Sequence, residues 1–356
     1  MVTMFDRRAL LLGAAATGAL SAPWVRTAHA QEKTITLMAY TGIFEERYRA
    51  AVVEPFMRAN PGIKVNYYGS PNSAQSLGML RAQKAAPQTN LCIMDASVAK
   101  AGTDEQLYDA VDNARLPVLA ELNPMAIIPG LAGPAVTFDS AVLLYSAAKV
   151  KPAPTSWREL WKPEYKGQVG LPAAPDIVGL ALTMVADRLA GGTDFIKDPS
   201  KGIALVGEMA PSVQTWDPKP DVYSAIISGG LTLGVGWNAR GQLFSSQNPD
   251  RLGVTLPEEG SVFQINTLNL VKGAPNNDAA LAFMAYALGQ EAQKSFTEAM
   301  FYAPTNAKTQ VSAEALARTA ATPERMAKMI DVNWIEVAKV RDGITEQWRR
   351  RVINRR

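Results

Sequence analysis

The sequence predicts an α/β protein of two lobes, each a mostly parallel sheet flanked by helices. Strand-like segments, which are short and alternating or apolar, alternate along the chain with segments that carry apolar residues at helical spacing. This pattern breaks near residue 138, and a second strand-and-helix series begins there. An extended segment near residue 257 then leads back to strand-like sequence. Two crossings between two lobes predict a hinge with a cleft between the lobes.

The first thirty residues have the pattern of an export signal. Arg7 and Arg8 precede an alanine-rich apolar run, Ala9–Leu20, and Ala28-His29-Ala30 is a small-x-small cleavage pattern. The arginine pair favours the twin-arginine route. A run of about twelve residues is shorter than the ~20 that a membrane-spanning helix needs, which disfavours an N-terminal anchor. We therefore expect a periplasmic protein that begins near Gln31 after cleavage of residues 1–30.

The first lobe opens with strands and helices in strict alternation. Strands of this kind, connected by helices, pair in parallel because the helix carries the chain back across the sheet. Proline and glycine at 61–62 end the first helix. The predicted elements are a strand at Thr34–Tyr40, a helix at Phe44–Asn60, a strand at Gly62–Tyr68, a helix at about Ser73–Lys84 and a strand at Leu91–Met94.

The second lobe begins where VTFDSAVLLYS (Val136–Ser146) predicts two extended pieces joined at Asp139-Ser140. Ser156 can then cap a short helix that stops at Pro163. The elements that follow are a strand from Gln168, helices from about Asp176 and Pro199, a strand at Ser212–Trp216, a helix from about Lys219 and a strand at Leu231–Gly236.

The chain returns to the first lobe through TLPEEGSVF and the alternating strand Ile265–Gly273. We place the hinge at Thr137–Ser140 and Thr255–Gly260. The predicted first lobe comprises residues 31–138 and 257–308, and the second comprises residues 139–256 and 309–356. Ligands of open α/β sheets bind outside the carboxyl ends of the strands, which here would line the cleft between the lobes.

The composition excludes several common chemistries. His29 is the single histidine and leaves with the signal, and Cys92 is the single cysteine. A serine-histidine triad, a cysteine-histidine pair, a zinc site of the usual kind and an internal disulfide are therefore excluded, and we predict no metal and no cofactor. Cys92 lies in an apolar run and is expected to be buried. An enzyme that works through carboxylates, a serine-lysine pair or a tyrosine stays open.

The charge balance makes nucleic acid an unsuitable partner. The chain has 36 lysines and arginines against 33 aspartates and glutamates. Three of these bases and one of these acids lie in the first thirty residues, so the remaining chain is nearly neutral. A nucleic-acid footprint needs clustered positive charge. The basic tail from Arg349 is interpreted as a helix end, where cations suit the helix dipole.

Several segments, in order, resemble the periplasmic solute-binding proteins of bacterial ABC importers, in the branch that contains the spermidine/putrescine binders. The resemblance covers roughly Ile35 to Asn306. It implies a type II two-lobed periplasmic-binding-protein fold, a monomer that is not an enzyme, a small-molecule ligand in the cleft and delivery to ABC permease subunits. The segments are the entry strand ending at Tyr40, TSWRELWKPEYKGQV, LGVGWNARGQ, PEEG, NLVKGAPNNDAALAFMAYAL and YAPTN.

The resemblance also implies ligand-binding positions. The family's acids fall on Gly42, Arg240 and near Asn266, so two are lost and one is reversed in charge, whereas Asp176 keeps an acid. Trp237 and Tyr40 are expected to form apolar walls that hold an ammonium through cation–π contact. The full set of implied positions is Tyr40, Thr41, Asp95, Ser97, Asp176, Trp237, Arg240, Gln264, Asn266 and Tyr302.

Arg240 decides the predicted ligand class. A polyamine needs several carboxylates, because each ammonium is costly to desolvate unpaired. A guanidinium instead suits a carboxylate or phosphonate, often through two parallel hydrogen bonds. With Asp176 or Asp95 for an amine, the site predicts a small anion or zwitterion: an amino acid, a gamma-aminobutyrate-like compound, a betaine or an aminophosphonate. The alternatives are a solvated Arg240 in a helix turn and a polyamine ligand.

Two other patterns are weaker candidates. Tyr67-Tyr68 resembles the adjacent tyrosines of ferric-ion binders, but neighbouring residues of a strand face opposite sides of the sheet. Glu258-Glu259 could hold a cation, although glutamates in an exposed crossing are usually solvated. Trp157 and Trp161 share a helical face and are expected to pack rather than bind.

Overall fold

The strands of both predicted lobes join into one hydrogen-bonded series. The computed structural model describes residues 32–354, so the predicted export signal lies outside the described residues. Its strands are β1 (Lys33–Tyr40), β2 (Ile63–Ser70), β3 (Leu91–Asp95), β4 (Tyr108–Asp109), β5 (Ala135–Ser146), β6 (Val169–Gly170), β7 (Val213–Thr215), β8 (Leu233–Trp237), β9 (Leu252–Thr255) and β10 (Phe263–Val271).

Helices flank these strands on both sides, as the alternating pattern predicts. Within residues 32–354, none of them combines the length and the apolar composition needed to cross a membrane. They are α1 (Ile43–Tyr48), α2 (Glu54–Ala59), α3 (Ser73–Ala82), α4 (Ala96–Asp104), α5 (Ile177–Leu189), α6 (Ser200–Met209), α7 (Val222–Ile227), α8 (Asn238–Gln247), α9 (Asn277–Ala287), α10 (Gln290–Met300), α11 (Ala313–Ala317), α12 (Pro323–Lys328) and α13 (Trp334–Trp348).

The predicted helix Phe44–Asn60 is interrupted in its middle. A π-helical turn, Arg49–Val53, separates α1 from α2, and Pro55 lies in the first turn of α2. Proline has no N–H to donate and its ring crowds the preceding turn, so an α-helix cannot run through it undisturbed. The π-helical turn connects α1 to α2, and Tyr48 and Phe56 are both buried in the core.

The sheet order explains the two-lobed architecture. The order is β2-β1-β3-β10-β5-β8-β6-β7, and β4 and β9 pair with β10 and β5. The pairs β1–β2, β1–β3, β6–β7 and β6–β8 are parallel, as predicted, whereas β5 and β10 pair antiparallel with their neighbours. Antiparallel pairing at the centre follows from the direction of the chain, because β5 leaves the first lobe and β10 returns to it.

Strand β5 corrects one expectation. The sequence pattern predicts that Asp139-Ser140 joins two extended pieces, but β5 is a single strand of 12 residues. Its first half pairs with β10 as far as Ser140, and its second half pairs with β8 from Ala141 onward. The strand finds a partner along its whole length, so Asp139 lies inside one continuous strand, next to the point where pairing changes from β10 to β8.

The last long helix, α13, contacts elements of both halves through two buried tryptophans. The indole N–H of Trp334 donates to the carbonyl of Phe263 in β10 at 2.6 Å. The indole N–H of Trp348 donates to the hydroxyl of Thr183 in α5 at 2.8 Å. Both indoles thereby satisfy the donor that burial would otherwise leave without a partner. Trp157 is fully buried as well, and Cys92 lies in the core as predicted.

Candidate functional site

Two adjoining cavities open where β1, β3 and β8 end and where α4, α5 and α8 begin. The first, here named the Arg240 cavity, has a volume of about 280 Å³, and the second, the Asp95 cavity, has about 420 Å³. They share four lining residues: Tyr40, Pro71, Ile177 and Gln264. This position agrees with the expectation that a ligand site lies outside the carboxyl ends of the strands.

The predicted site residues all line one cavity or the other. Asp95 and Asp176, the acids that the sequence matches with an amine, line a different cavity from Arg240. The Arg240 cavity contains Tyr40, Thr41, Trp237, Arg240, Gln264, Asn266 and Tyr302. The Asp95 cavity contains Tyr40, Asp95, Ser97, Asp176 and Gln264, together with Arg341 of α13.

Trp237 and Arg240 are placed by the junction between β8 and α8. Trp237 ends the strand, and its backbone is fixed by Tyr223, whose hydroxyl accepts from the Trp237 N–H at 2.7 Å and donates to the Trp237 carbonyl at 3.2 Å. Arg240 lies in the first turn of α8 and is exposed. It forms neither a hydrogen bond nor an ion pair within residues 32–354. A cation in a first helical turn opposes the helix dipole, so helix stability does not account for it.

Tyr40 brings a hydrogen-bonded hydroxyl to the site in addition to the aromatic ring expected of it. Its hydroxyl lies 2.8 Å from the Ser73 hydroxyl and donates to Asn266 Oδ1 at 2.8 Å. Burial and the nearby Asp95 raise the pKa of Tyr40 well above its ordinary value of 10. The phenol therefore stays protonated and acts as a neutral hydrogen-bonding group at the boundary of both cavities.

An amide network connects Tyr40 to the Asp95 cavity. The Gln264 side-chain amide donates to Asn266 Oδ1 at 2.8 Å and to Asp95 Oδ2 at 3.0 Å. The Asn266 amide donates to the Thr137 hydroxyl at 3.0 Å. Asn266 is buried, and its neutral amide satisfies its neighbours where a carboxylate would add a buried charge.

The two predicted acids both serve as helix caps. Asp95 precedes α4 and accepts the Ser97 N–H at 2.9 Å, and it also accepts from the Ser97 hydroxyl. Asp176 precedes α5 and accepts the Val178 N–H at 2.8 Å. Packing against the Asp176 carboxyl raises its pKa, although part of the side chain still meets solvent. Part of the hydrogen-bonding capacity of each carboxylate is thus used for capping.

A third acid, Asp139, lines the Arg240 cavity and is absent from the predicted site residues. Its side chain is 4% exposed, and its Oδ1 accepts the Ala239 N–H at the start of α8 at 3.0 Å. Burial raises the pKa of Asp139 to about 7, although backbone N–H groups and the charge of Arg240 act in the opposite direction. The sequence holds one signal, a single charge inside the apolar stretch Val136–Leu144, but the local pattern assigns that charge to the junction of two extended pieces.

The tyrosine pair at 67–68 and the glutamate pair at 258–259 do not form an ion-binding site in the described residues. Tyr67 is buried and donates to the Tyr40 carbonyl at 2.6 Å, whereas Tyr68 is 46% exposed, so the two rings face opposite sides as predicted. Glu259 is not simply solvated, because it accepts the Trp157 N–H at 3.2 Å and a hydrogen bond from Ser156. It therefore caps the short helix Trp157–Trp161 from the crossing segment.

Comparisons with known proteins agree with this architecture. A family profile described as a bacterial extracellular solute-binding protein matches residues 51–328. A gamma-aminobutyric acid-binding protein of Pseudomonas aeruginosa is 25% identical over 79% of this chain and 80% of its own length. The spermidine/putrescine-binding periplasmic protein of Escherichia coli is 24% identical over 85% of this chain and 84% of its own length.

Solved structures share the fold at low identity. An ABC transporter substrate-binding protein from Bradyrhizobium japonicum superposes with a TM-score of 0.76 at 19% identity, over 89% of this chain and 99% of that protein. The Atu4243-GABA receptor superposes with a TM-score of 0.71 at 20% identity, over 89% of this chain and 97% of that protein. At such identities the likeness establishes the fold and leaves the ligand to be argued from the site.

Proposed function

Because the chain belongs to the bacterial extracellular solute-binding protein family, we propose that it captures a small zwitterion in its inter-lobe cleft and delivers it to the permease of an ABC importer. The protein acts as a periplasmic monomer and not as an enzyme. Its lobes comprise residues 31–138 with 257–308 and residues 139–256 with 309–356, and they close on the ligand about the two crossings. A ligand that binds the closed form better shifts the population toward closure.

One observation carries the choice of ligand. Arg240 lines the cavity beside Trp237 and Tyr302 and has no protein partner in the described part of the chain. A guanidinium that is free at the edge of a half-buried cavity offers a planar pair of donors to a carboxylate or phosphonate. It would repel an ammonium at the same place. The charge of Arg240 therefore supports an anionic group at this end of the ligand.

The relatives are named for ligands of two charge types, and the charges that line the Arg240 cavity favour one of them. One relative is named for gamma-aminobutyric acid, which carries an anion and a cation, and others are named for spermidine and putrescine, which carry cations alone. Arg240 and Asn266 stand where the polyamine binders that this chain resembles have acids. Loss of two carboxylates leaves too few partners for a desolvated dication, so a gamma-aminobutyrate-like zwitterion is the better candidate.

Each predicted residue has a proposed part in the site. Arg240 binds the anionic end and Trp237 packs on the ligand chain, while Tyr40, Gln264 and Asn266 form a polar wall between the two cavities. Thr41 and Tyr302 complete the Arg240 cavity. Asp95, Ser97 and Asp176 line the second cavity and serve ligands long enough to reach it.

Titration calorimetry on the mature chain tests the ligand class. The panel contains gamma-aminobutyrate, glycine betaine, 2-aminoethylphosphonate, putrescine and spermidine. Closure of the lobes would bury the pair that exposed Arg240 forms with the ligand. Removal of one partner from a buried charge pair weakens binding by at least ~30-fold, so Arg240→Ala should do so for the bound zwitterion. Arg240→Lys should recover only part, because a point charge replaces a fork. Arg158→Ala, an exposed arginine of the same lobe that lines neither cavity, is the matched control.

Two results would contradict the proposal. Micromolar binding of putrescine by the wild type would return the protein to the polyamine class. An Arg240→Ala variant within twofold of the wild type for the tightest ligand would show that Arg240 is a solvated helix residue. Turnover of any bound compound, followed by NMR, would indicate an enzyme instead.

A further inference from the structure

We infer that the Asp139 carboxylate binds the ammonium group of the same ligand whose anionic end is held by Arg240. This inference rests on the proposed function and assigns the second charge of the zwitterion. The sequence alone matches the amine with Asp176 or Asp95, which line the neighbouring cavity.

The first argument is geometric. Asp139 and Arg240 line one cavity of about 280 Å³. Asp139 comes from the middle of β5, where pairing changes from β10 to β8, and Arg240 comes from the first turn of α8. Within residues 32–354 no ion pair of 4.0 Å or less joins them, although Arg240 is near enough to lower the pKa of Asp139. The two opposite charges thus line one half-buried cavity without forming an ion pair with each other.

The second argument concerns what the Asp139 carboxylate lacks. Its Oδ1 accepts the Ala239 N–H, and the backbone N–H groups of Ser140 and Asn238 also act on the carboxylate, but no hydrogen bond to its Oδ2 is formed within the described residues. A buried carboxylate is stable when several donors surround it and costly when few do. An ammonium supplies three donors and a full positive charge. Asp139 lines the Arg240 cavity, so its Oδ2 keeps acceptor capacity that an ammonium in that cavity can use.

The third argument compares Asp139 with another buried acid. Asp187 is also buried and accepts a helix N–H, that of Gly202 at 3.1 Å, and burial raises its pKa too. Asp187 lines neither cleft cavity, and the charges that act on its pKa are those of Asp198 and Lys201. The two residues are matched in burial and capping role and differ in access to the cleft.

The charged and titratable groups that face Asp139 keep their own charge near neutral pH, so a change of pH there reports on the ionisation of Asp139. They are Arg240 on α8, Tyr223 on α7 and Tyr302 after α10. Arginine stays charged at any working pH, and burial raises the pKa of both tyrosines above their ordinary value of 10. The described residues contain no histidine. Among these groups, Asp139 alone changes charge near neutrality.

The inference gives opposite pH trends for two kinds of probe. An ammonium needs the ionised carboxylate, and with a pKa of about 7 the ionised fraction rises about tenfold between pH 6 and pH 8. Affinity for an amino acid should rise by the same factor. An analogue that keeps the carboxylate but lacks the amine should bind more weakly as pH rises, because ionised Asp139 repels it. Carboxylates and primary amines do not themselves titrate in this range.

The experiment is calorimetry of the mature protein at pH 6, 7 and 8. The probes are the straight-chain amino acids from glycine to 6-aminohexanoate, each paired with its amine-free carboxylic acid. The proteins are the wild type, Asp139→Asn, Arg240→Ala and the control Asp187→Asn. Asp139→Asn should lose at least ~30-fold for the amine-bearing probe at pH 8, lose the pH slope, and keep or gain affinity for the amine-free analogue. Asp187→Asn should behave as the wild type does.

The outcomes separate this inference from the function on which it rests. Binding of an amine-bearing probe that needs Arg240 but is unchanged in Asp139→Asn would overturn the assignment of Asp139 and leave the zwitterion function intact. Absence of binding by every amine-bearing probe, and by glycine betaine and 2-aminoethylphosphonate as well, would overturn the proposed function itself. If Asp139→Asn fails to fold, the opposite pH trends of paired probes on the wild type still decide the question, and parallel trends would refute the inference.

Discussion

Replacement of Asp139 by asparagine should stabilise the ligand-free protein at pH 8, although it removes a charged group from the site. Burial raises the pKa of Asp139 to about 7 from an ordinary 3.8. Between these values the folded protein binds a proton that the unfolded chain releases, so the free energy of unfolding falls as pH rises from about 4 to about 7. Above pH 7 the loss is complete.

The magnitude follows from the difference between the folded and unfolded pKa of Asp139. A tenfold difference in proton affinity corresponds to about 1.4 kcal/mol, so the charge of Asp139 costs at most about 4 kcal/mol of stability at pH 8. Asparagine avoids this cost, and its side-chain oxygen can still accept the Ala239 N–H. We expect Asp139→Asn to exceed the wild type by about 2–4 kcal/mol at pH 8 and to match it near pH 4.

Urea unfolding without ligand, at intervals from pH 4 to pH 8, measures this difference by linear extrapolation. Asp278→Asn is a control of opposite sign, because the Lys33 side chain lowers the pKa of that exposed carboxyl and its stabilising effect is present only above the ordinary pKa. A variant at Asp139 that is less stable than the wild type by the same amount at every pH would refute the reasoning. It would mean that Asp139 matters as a hydrogen-bond acceptor and not as a costly charge.

Three further predictions address the ligand, the cleft and the specificity. Trp237→Phe should remove most of the change in tryptophan emission on binding; an undiminished change would mean that another tryptophan reports. Small-angle scattering should show a smaller radius of gyration at saturating ligand, and an unchanged radius would count against the hinge at Thr137–Ser140 and Thr255–Gly260. The double variant Arg240→Asp, Asn266→Asp should gain affinity for putrescine and lose it for amino acids in calorimetry, and unchanged selectivity would show that these two positions do not set the ligand charge.

Local sequence pattern is enough to predict most of the fold. The alternation over Thr34–Tyr40 predicts β1, and the apolar run Leu91–Met94 predicts β3. These predictions succeed because the order of apolar and polar residues within a strand reflects which of its faces are buried. The error at β5 has a different origin. Whether Asp139-Ser140 joins two separate pieces or lies inside one strand depends on partners about a hundred residues away or more, in β8 and β10. The residues next to Asp139 in the sequence do not indicate which distant strands β5 pairs with.

The candidate site shows the same division between local and distant information. Trp237 and Arg240 can be placed together from sequence because three positions separate them at a strand-to-helix junction. Asp139 reaches the same cavity from a strand about a hundred positions earlier, through pairing with β8. The resemblance groups Asp95 and Asp176 with Arg240, but their capping roles at α4 and α5 hold them in the adjoining cavity.

The ligand charge can be argued from the cavity where the fold cannot decide it. Relatives named for gamma-aminobutyric acid and for polyamines match this chain at similar identities, so membership of the family does not by itself fix the ligand. The described lining of the Arg240 cavity carries one acid, Asp139, and one base, Arg240. A dication placed there would meet one carboxylate and be repelled by the guanidinium, which leaves at least one ammonium desolvated and unpaired. A zwitterion places its anionic group beside Arg240 and its cationic group beside Asp139, so every charge in the cavity has a partner of opposite sign.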